Sequence, residues 1–428
     1  MSLLKTSALN GVAVVVRTGT ALVLNKVLAI YVGPAGYALI GQFQNALTMA
    51  ITFATGATGN GVVKLTAEYV TDGERQRRMW RTAGLLVLGA SIVGAALILA
   101  FRDQLASAFL HDPGYAGVFV WLAACLPLIA GNALLLAIMN GKKEVRRFVT
   151  SNIGGSIVSL LVTGVLAWQF GLYGALVALS LNQGILLLVT LQQALRTTWF
   201  GWRAFVGSID LAEARRLSGF VVMAATTAIV SPLSQILVRS TLVDRFGLTY
   251  AGYWDAMWRI STLYLTLITT TLSLYYLPRI AEIRHWPEMR RELLLVYRTV
   301  LPLVIAASAA IFIARDLIVS LLFADDFRPM RVLFAWQMAG DVVKIASWLL
   351  AFLMIGRGLV KSFVVSEIVA GLMFWMATIV CTRLFGFQGV AIAHLLTYTV
   401  YALLVATLTI STSRRRTVMF PPDTQDTA

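Results

Sequence analysis

The chain has 428 residues, 58% of them hydrophobic and only 13% charged, with a net charge of +15. A soluble protein this apolar could not cover its surface with polar groups, so the composition excludes that class and predicts an all-α integral membrane protein. The positive charge does not point to a nucleic-acid partner, because no basic domain with interleaved aromatics stands outside the apolar runs, and Lys and Arg in short loops are what orient a membrane protein.

A helix needs roughly 20 mostly apolar residues to cross a bilayer. On that measure twelve spans are predicted, at 8–31, 36–58, 82–101, 117–140, 149–170, 173–195, 217–240, 249–277, 292–314, 332–355, 359–383 and 388–410. The first reads as an uncleaved span rather than a signal peptide. Arg17 and Lys26 interrupt it, and no small-residue cleavage site follows a short apolar region. Turns at Val32-Gly33-Pro34, Gly171-Leu172 and Gly386-Phe387 are expected to hold neighbouring helices antiparallel. Small residues crowd the end of the second span from Ala54 to Gly61, where helices can pack closely or bend. Pro127, Pro232 and Pro302 fall inside spans and are expected to kink them. The segments 102–116 and 315–331 read as short amphipathic pieces at the outer membrane surface. Six spans per half predict two lobes, 1–195 and 217–412, around a central cavity. A cytoplasmic connector, 196–216, joins them, and its Trp199, Phe200 and Trp202 suit the membrane interface. The polar tail 413–428 is expected to be disordered.

With the N-terminus inside, the segments on the cytoplasmic side carry 22 Lys and Arg and those on the opposite side carry 7, Arg239 and Arg245 among the latter. The asymmetry predicts cytoplasmic N- and C-termini. Cys125 and Cys381 both lie in apolar runs and offer no disulfide framework, and His111, His285 and His394 are too scattered to suggest a metal site.

One segment occurs twice. Met139, Gly141, Val145, Phe148, Val149 and Ser151 recur as Met354, Gly356, Val360, Phe363, Val364 and Ser366, at an offset of 215 (354 − 139). Ala35-Gly36-Tyr37 recurs as Ala251-Gly252-Tyr253, and Arg102-Asp103 recurs as Arg315-Asp316. Three anchors in the same order predict a duplicated half-chain. Both copies of the central segment are basic turns, so both are expected in the cytoplasm, which makes the halves parallel repeats.

Ionisable residues inside a span are costly and mark a pathway or a buried pair. The cations are Arg17, Lys26, Arg259, Arg298 and Lys344, with Lys64 near the end of the second helix; the anions are Asp255, Asp341 and Glu367. Six cations against three anions call for a mobile anion as substrate or counter-ion. Asp255 and Arg259 stand at i, i+4 and Asp341 and Lys344 at i, i+3, so each pair shares a helix face, for packing or for substrate binding and gating. Arg298, two turns into its helix, is either a cavity residue or a snorkelling one. Arg17 lies roughly 13 Å inside its span, and Lys26, nine residues further, falls about 180° away around the helix. None of these charges is duplicated: Arg17 corresponds to Leu233 and Arg259 to Phe43. The scaffold is symmetric and the chemistry is not.

The chain contains no GxSxG, Walker or HExxH motif, so neither an enzyme nor a nucleotide-driven pump is indicated, and no cofactor is expected. The run from Met330 through Phe334, Trp336, Gln337, Gly340 and Asp341 to Lys344 resembles a helix of the Wzx-type O-antigen and lipid III (enterobacterial common antigen) flippases. So do Lys26 followed by Gly33-Pro34-Ala35-Gly36, Asn60-Gly61 with Lys64, and Tyr276-Leu277-Pro278. These belong to the multidrug/oligosaccharidyl-lipid/polysaccharide (MOP) exporter superfamily, which also holds the MATE transporters. The resemblance implies two six-helix lobes that open alternately to each side of a bacterial inner membrane. The implied cargo is an undecaprenyl-diphosphate-linked oligosaccharide, moved to the periplasmic leaflet, with membrane lipids and polysaccharide polymerase or chain-length machinery as partners. Lys26, Lys64, Asp341 and Lys344 carry over as motif positions, and Arg17 sits where the family tends to place a base. Two alternatives stay open: a cation-coupled exporter of small drugs on the same scaffold, and a membrane polysaccharide polymerase.

Overall fold

The computed structural model describes residues 3–414 except 57, 202–204, 206, 219–220, 284–285 and 357–358. The tail expected to be disordered falls almost wholly outside the described residues, as do Trp202 and Arg357. The chain opens with α1 (Leu3–Thr55), which reverses at Gly33, where φ is 68° and ψ 178°, just before Pro34. An L side chain is strained at such a φ, so glycine is the residue that lets two apolar helices meet here with almost no loop. After α2 (Gly59–Glu68), α3 (Gly73–Ala100), α4 (Arg102–Leu110) and α5 (Ala116–Gly141), the device returns in α6 (Val145–Leu195), which reverses at Gly171 with φ 55°. The second half comprises α7 (Leu211–Ser218), α8 (Val221–Phe246), α9 (Leu248–Glu282), α10 (Trp286–Ile313), α11 (Arg315–Leu322), α12 (Phe334–Gly356), α13 (Val360–Phe385) and α14 (Gly389–Arg414). Gly247 (φ 87°) joins α8 to α9 and Gly386 (φ 63°) joins α13 to α14.

The twelve crossings are the two arms of α1, α3, α5, the two arms of α6, and α8, α9, α10, α12, α13 and α14. Three stretches of 40, 50 and 47 residues, Val16–Thr55, Arg146–Leu195 and Lys361–Thr407, are each long enough for two. Along α3 a narrow stripe, Met79, Trp80, Ala83, Val87, Ser91 and Gly94, is buried, while Leu88, Ile92, Val93, Leu97 and Leu99 are exposed. A helix facing water would be polar on that exposed side; one apolar all round faces lipid.

Contacts divide the chain into two compact units. The first is Met1–Pro232 with Leu322–Ala324, and the second is Leu233–Leu321 with Asp325–Ala428. Within the first, α6 packs on α1 and α5, and α5 on α3; within the second, α12 packs on α14, α10 and α9, and α14 on α13. The duplicated segments fold alike. Glu144 N donates to Met139 O at 3.0 Å and Leu359 N to Met354 O at 2.9 Å. Phe148 N then donates to Glu144 O at 2.9 Å and Phe363 N to Leu359 O at 3.0 Å, starting the next helix in both places. Met139, Met354, Ser151 and Ser366 are buried.

Several boundaries differ from the sequence expectation. Residues 59–81, outside the predicted spans, are mostly helical: α2 takes 59–68, and Asp72 caps α3 by accepting from Arg75 N at 3.0 Å. Polar residues in that first turn hid the helix from a hydropathy count. The eighth span, expected to end at 277, runs to Glu282.

The connector is tied to the first unit. Glu213 of α7 is buried; it accepts from Tyr69 OH at 3.0 Å and from Arg75 Nε at 3.1 Å. Arg216 Nη1 donates to Tyr69 OH at 2.8 Å, and Asp210 N donates to Thr82 Oγ1 at 3.0 Å. Leu217 joins the core around Met79, Trp80, Leu134 and Ile138. Burial first, and the Glu213 carboxylate second, push the Tyr69 hydroxyl above its ordinary value near 10.

Candidate functional site

The first unit contains an open cavity of about 340 Å³ between α1, α5 and the two arms of α6. Arg17 and Thr20 enter it from α1, Asn132 from α5, Ser151, Asn152, Ser156 and Ser159 from the first arm of α6, and Gln183 and Thr190 from the second. Asn152, Ser156 and Ser159 recur at four and three residues, which places their polar groups on one helix face. Asn132 Oδ1, Ser151 Oγ and Thr190 Oγ1 are buried without a hydrogen-bond partner among the described residues. The lining therefore offers one cation, hydroxyl and amide groups, and, on Asn132, Ser151 and Thr190, polar atoms with no partner among the described residues. A guanidinium presents several donors in one plane, which suits phosphate oxygens, and hydroxyls and amides suit sugars.

Of the three cations expected in this half, only Arg17 lines the cavity. The Lys26 ammonium donates instead to the carbonyl oxygen of Phe323, within the short segment that belongs to this unit. That follows from its half-turn displacement from Arg17. Lys64 is exposed on α2.

In the second unit the acids and bases form a buried network that draws on more helices than the expected pairs. Asp255 pairs with Arg239 of α8, with Arg239 Nε donating to Oδ2 at 2.7 Å and Nη2 to Oδ1. Arg239 is 3% exposed, so counting it among outer loop residues was wrong. The span expected to end at 240 continues to Phe246, which puts Arg239 two turns inside. Arg259 is half-buried and close enough to attract Asp255 as a second charge.

Asp341 and Lys344 share a face of α12 yet bond elsewhere. Asp341 is fully buried. It accepts from Tyr264 OH at 2.9 Å and Gln337 Nε2 at 3.4 Å, and His394 Nε2 lies 3.0 Å from its Oδ1. Ser308 and Ser261 extend the network through Tyr264 and Gln337. Lys344 turns its ammonium into three rings, 4.7 Å from the centre of Trp258, 5.0 Å from Trp348 and 5.1 Å from Tyr398. Such a cage stabilises a desolvated cation through the ring quadrupoles. Glu367 accepts from Tyr401 OH at 3.1 Å, and Tyr401 packs on Tyr398, so the third acid touches the same cluster. Arg298 is exposed on α10. The sequence reading missed His394, Tyr264 and Arg239. The histidine was visible as an ionisable residue in the last span, the signal that had picked out Arg17.

Residues 27–332 match the sequence model of the family described as polysaccharide biosynthesis protein. The chain belongs to the polysaccharide biosynthesis protein family. It is 29% identical over 401 residues to a protein of Escherichia coli (strain K12) named lipid III flippase, covering 94% of this chain and 96% of that one. In fold it is similar to a multidrug resistance MATE family transporter of the MOP superfamily in an inward-facing conformation, with a TM-score of 0.76 and 16% identity over 93% of this chain and 96% of the other. It is also similar to the lipid II flippase MurJ in an inward closed conformation, with a TM-score of 0.75 and 13% identity over 96% and 88% of the two chains. The family member described here thus has the twelve-helix fold of MOP-superfamily transporters.

Proposed function

We propose that the chain is a flippase that moves an undecaprenyl-diphosphate-linked oligosaccharide, a lipid III or O-antigen repeat unit, from the cytoplasmic to the periplasmic leaflet of a bacterial inner membrane. The observation that carries this reading is the Arg17 cavity, one guanidinium among hydroxyl and amide side chains, in a chain alike over nearly its whole length to a protein named lipid III flippase. Arg17 is assigned to the diphosphate and the polar wall to the sugars. Lys26, Lys64, Arg259, Arg298 and Lys344 add to the positive field that draws the anion. The lobes 1–195 and 217–412 alternate access, with both termini in the cytoplasm, and the product passes to polymerase and chain-length machinery.

Asp255, Asp341 and Glu367 are assigned to gating and ion coupling, with Asp341, backed by His394 and Tyr264, as the first place to hold a proton. The membrane potential also contributes: at 100 mV, inside negative, outward movement of two negative charges is favoured by about 4.6 kcal/mol.

The test is the leaflet that holds the lipid-linked oligosaccharide in a host lacking this chain. The expected result is accumulation on the cytoplasmic face and loss of the surface polymer, rescued by the wild type and not by Arg17→Gln. Arrival at the periplasmic face without polymerisation would overturn the assignment and place the chain at a later step.

A further inference from the structure

The first unit carries a second recess that the proposed transport path does not use. Its volume is about 300 Å³, and its walls are apolar, among them Leu88 of α3, Leu135 of α5, Leu187 and Leu191 of α6, and Phe200 and Phe205 from the segment between α6 and α7. It lies on the opposite face of the helices that wall the Arg17 cavity. Asn132, Leu186 and Thr190 face the cavity, while their neighbours Gly131, Leu187 and Leu191 face the recess. Leu88, Leu128 and Leu188 nearby are exposed, as residues in contact with lipid are.

The end of the recess beside Phe205 is basic. Phe205 packs near Gly84, one turn beyond Arg81, and the Arg81 guanidinium fills the space beside Gly207. Arg81 Nε and Trp199 Nε1 are both buried and find no acceptor among the described residues. Trp199 stacks edge-on against Trp80 at 5.4 Å, and the Lys142 ammonium lies 5.3 Å from the Trp80 ring centre. Burial pushes the Lys142 ammonium below its ordinary value, and Arg77 adds to the effect although Glu144 opposes it. Two buried donors, on Arg81 and Trp199, and the Lys142 ammonium therefore stand near the Phe205 end of the apolar groove.

We propose that this recess binds an anionic membrane phospholipid, with one acyl chain in the groove and the phosphodiester held by Arg81, the Trp199 indole N–H and Lys142. A basic pocket between membrane helices is the arrangement that retains such headgroups. The surrounding membrane, rather than the transported molecule, is the source. The hydroxyl and amide groups that would bond sugars all lie across the helices, and the recess offers none. Because α5 and the second arm of α6 separate the two spaces, a lipid bound in one braces the wall of the other.

Native mass spectrometry of the purified full chain with dioleoyl-phosphatidylglycerol or dioleoyl-phosphatidylcholine tests this. The wild type is expected to retain the anionic lipid in preference. Arg81→Gln is expected to weaken phosphatidylglycerol binding roughly fivefold, the effect of one basic residue near a membrane surface. Gly131→Leu is expected to abolish retention of both lipids. A Cβ there would meet only Leu187, at 3.9 Å, which is ordinary contact, so the added side chain starts into the groove without a clash and the variant keeps the test valid if Arg81→Gln does not fold. Undecaprenyl phosphate is expected not to displace the bound phospholipid. Equal retention of the two lipids by the wild type, or undiminished phosphatidylglycerol binding in the groove-filled variant, would overturn the proposal. Displacement by undecaprenyl phosphate would do so too, and would give the recess to the substrate's tail.

Discussion

Arg239 and Asp255 form a bidentate ion pair from which water is excluded, and such a pair is far more costly to break than to replace. Asp255→Asn alone is expected to lower stability by about 3–5 kcal/mol, whereas Arg239→Met with Asp255→Leu recovers most of the loss. The comparison is the midpoint of thermal unfolding in detergent. An equal loss in single and double variants would mean that the pair does more than neutralise itself. Gly340 raises a different question at the same scale. A Cβ there would stand 2.4 Å from His394 Cδ2 and 3.1 Å from Leu395 N. The imidazole cannot retreat, because Trp258, Phe374 and Tyr398 surround it. Gly340→Ala is therefore expected to cost about 1–3 kcal/mol by overpacking. The same melt reads it, and an unchanged midpoint would show that the histidine has room to move. Spacing along one helix picked out Asp255 and Asp341 but could not show that they also bond to Arg239, Tyr264 and His394 on other helices. The i, i+4 rule shows what shares a face, and the bond goes to whichever neighbouring helix offers better geometry. Arg239 and Asp255 each lie eight residues from Gly247, so the register of the α8–α9 hairpin brings them together once that turn is recognised.

Among the elements, the reversals at Gly33, Gly171 and Gly386 could be read from the chain because each rests on one residue's backbone freedom; the one at Gly247 emerged only in the structure. The clamp on α7 could not. Glu213 looks like one of many polar connector residues until Tyr69 and Arg75 arrive from other helices. Glu213→Gln keeps the shape but removes the charge that binds Arg75. It is expected to speed hydrogen exchange across Leu211–Ser218 about tenfold, on a loss of roughly 1.4 kcal/mol for a charge-assisted bond. Unaltered exchange would remove Glu213 from the clamp. Tyr69 supplies a pH signature. Its hydroxyl titrates higher folded than unfolded, so the neutral form stabilises the fold. That contribution is complete below pH ~10 and is lost as the pH rises through the folded value. The difference in unfolding midpoint between wild type and Tyr69→Phe should hold constant through neutral pH and shrink only above about pH 10. A difference that changed near neutrality would point to another group.

At the scale of the whole molecule, orientation is the expectation most directly open to experiment. Cys125 and Cys381 are buried and so give little background to an impermeant thiol reagent. A cysteine at the exposed positions Lys143 or Lys361 is expected to react only from the cytoplasmic side of the membrane, and labelling from outside would reverse the topology. The class of protein, the twelve crossings and the duplication were legible in the chain because they depend on local quantities. Transfer of a 20-residue apolar run into lipid sums contributions residue by residue, and a glycine turn or repeated segment is written in a few adjacent letters. Arg17 was legible for the same reason, since a cation in an apolar run is costly wherever the helix ends up. The hydroxyl and amide lining around Arg17, the cage around Lys344, and the joining of His394 and Tyr264 to Asp341 were decided only by tertiary packing. Each is assembled from helices far apart in the chain, and a polar side chain's energy inside a membrane depends on the one partner within 3 Å of it.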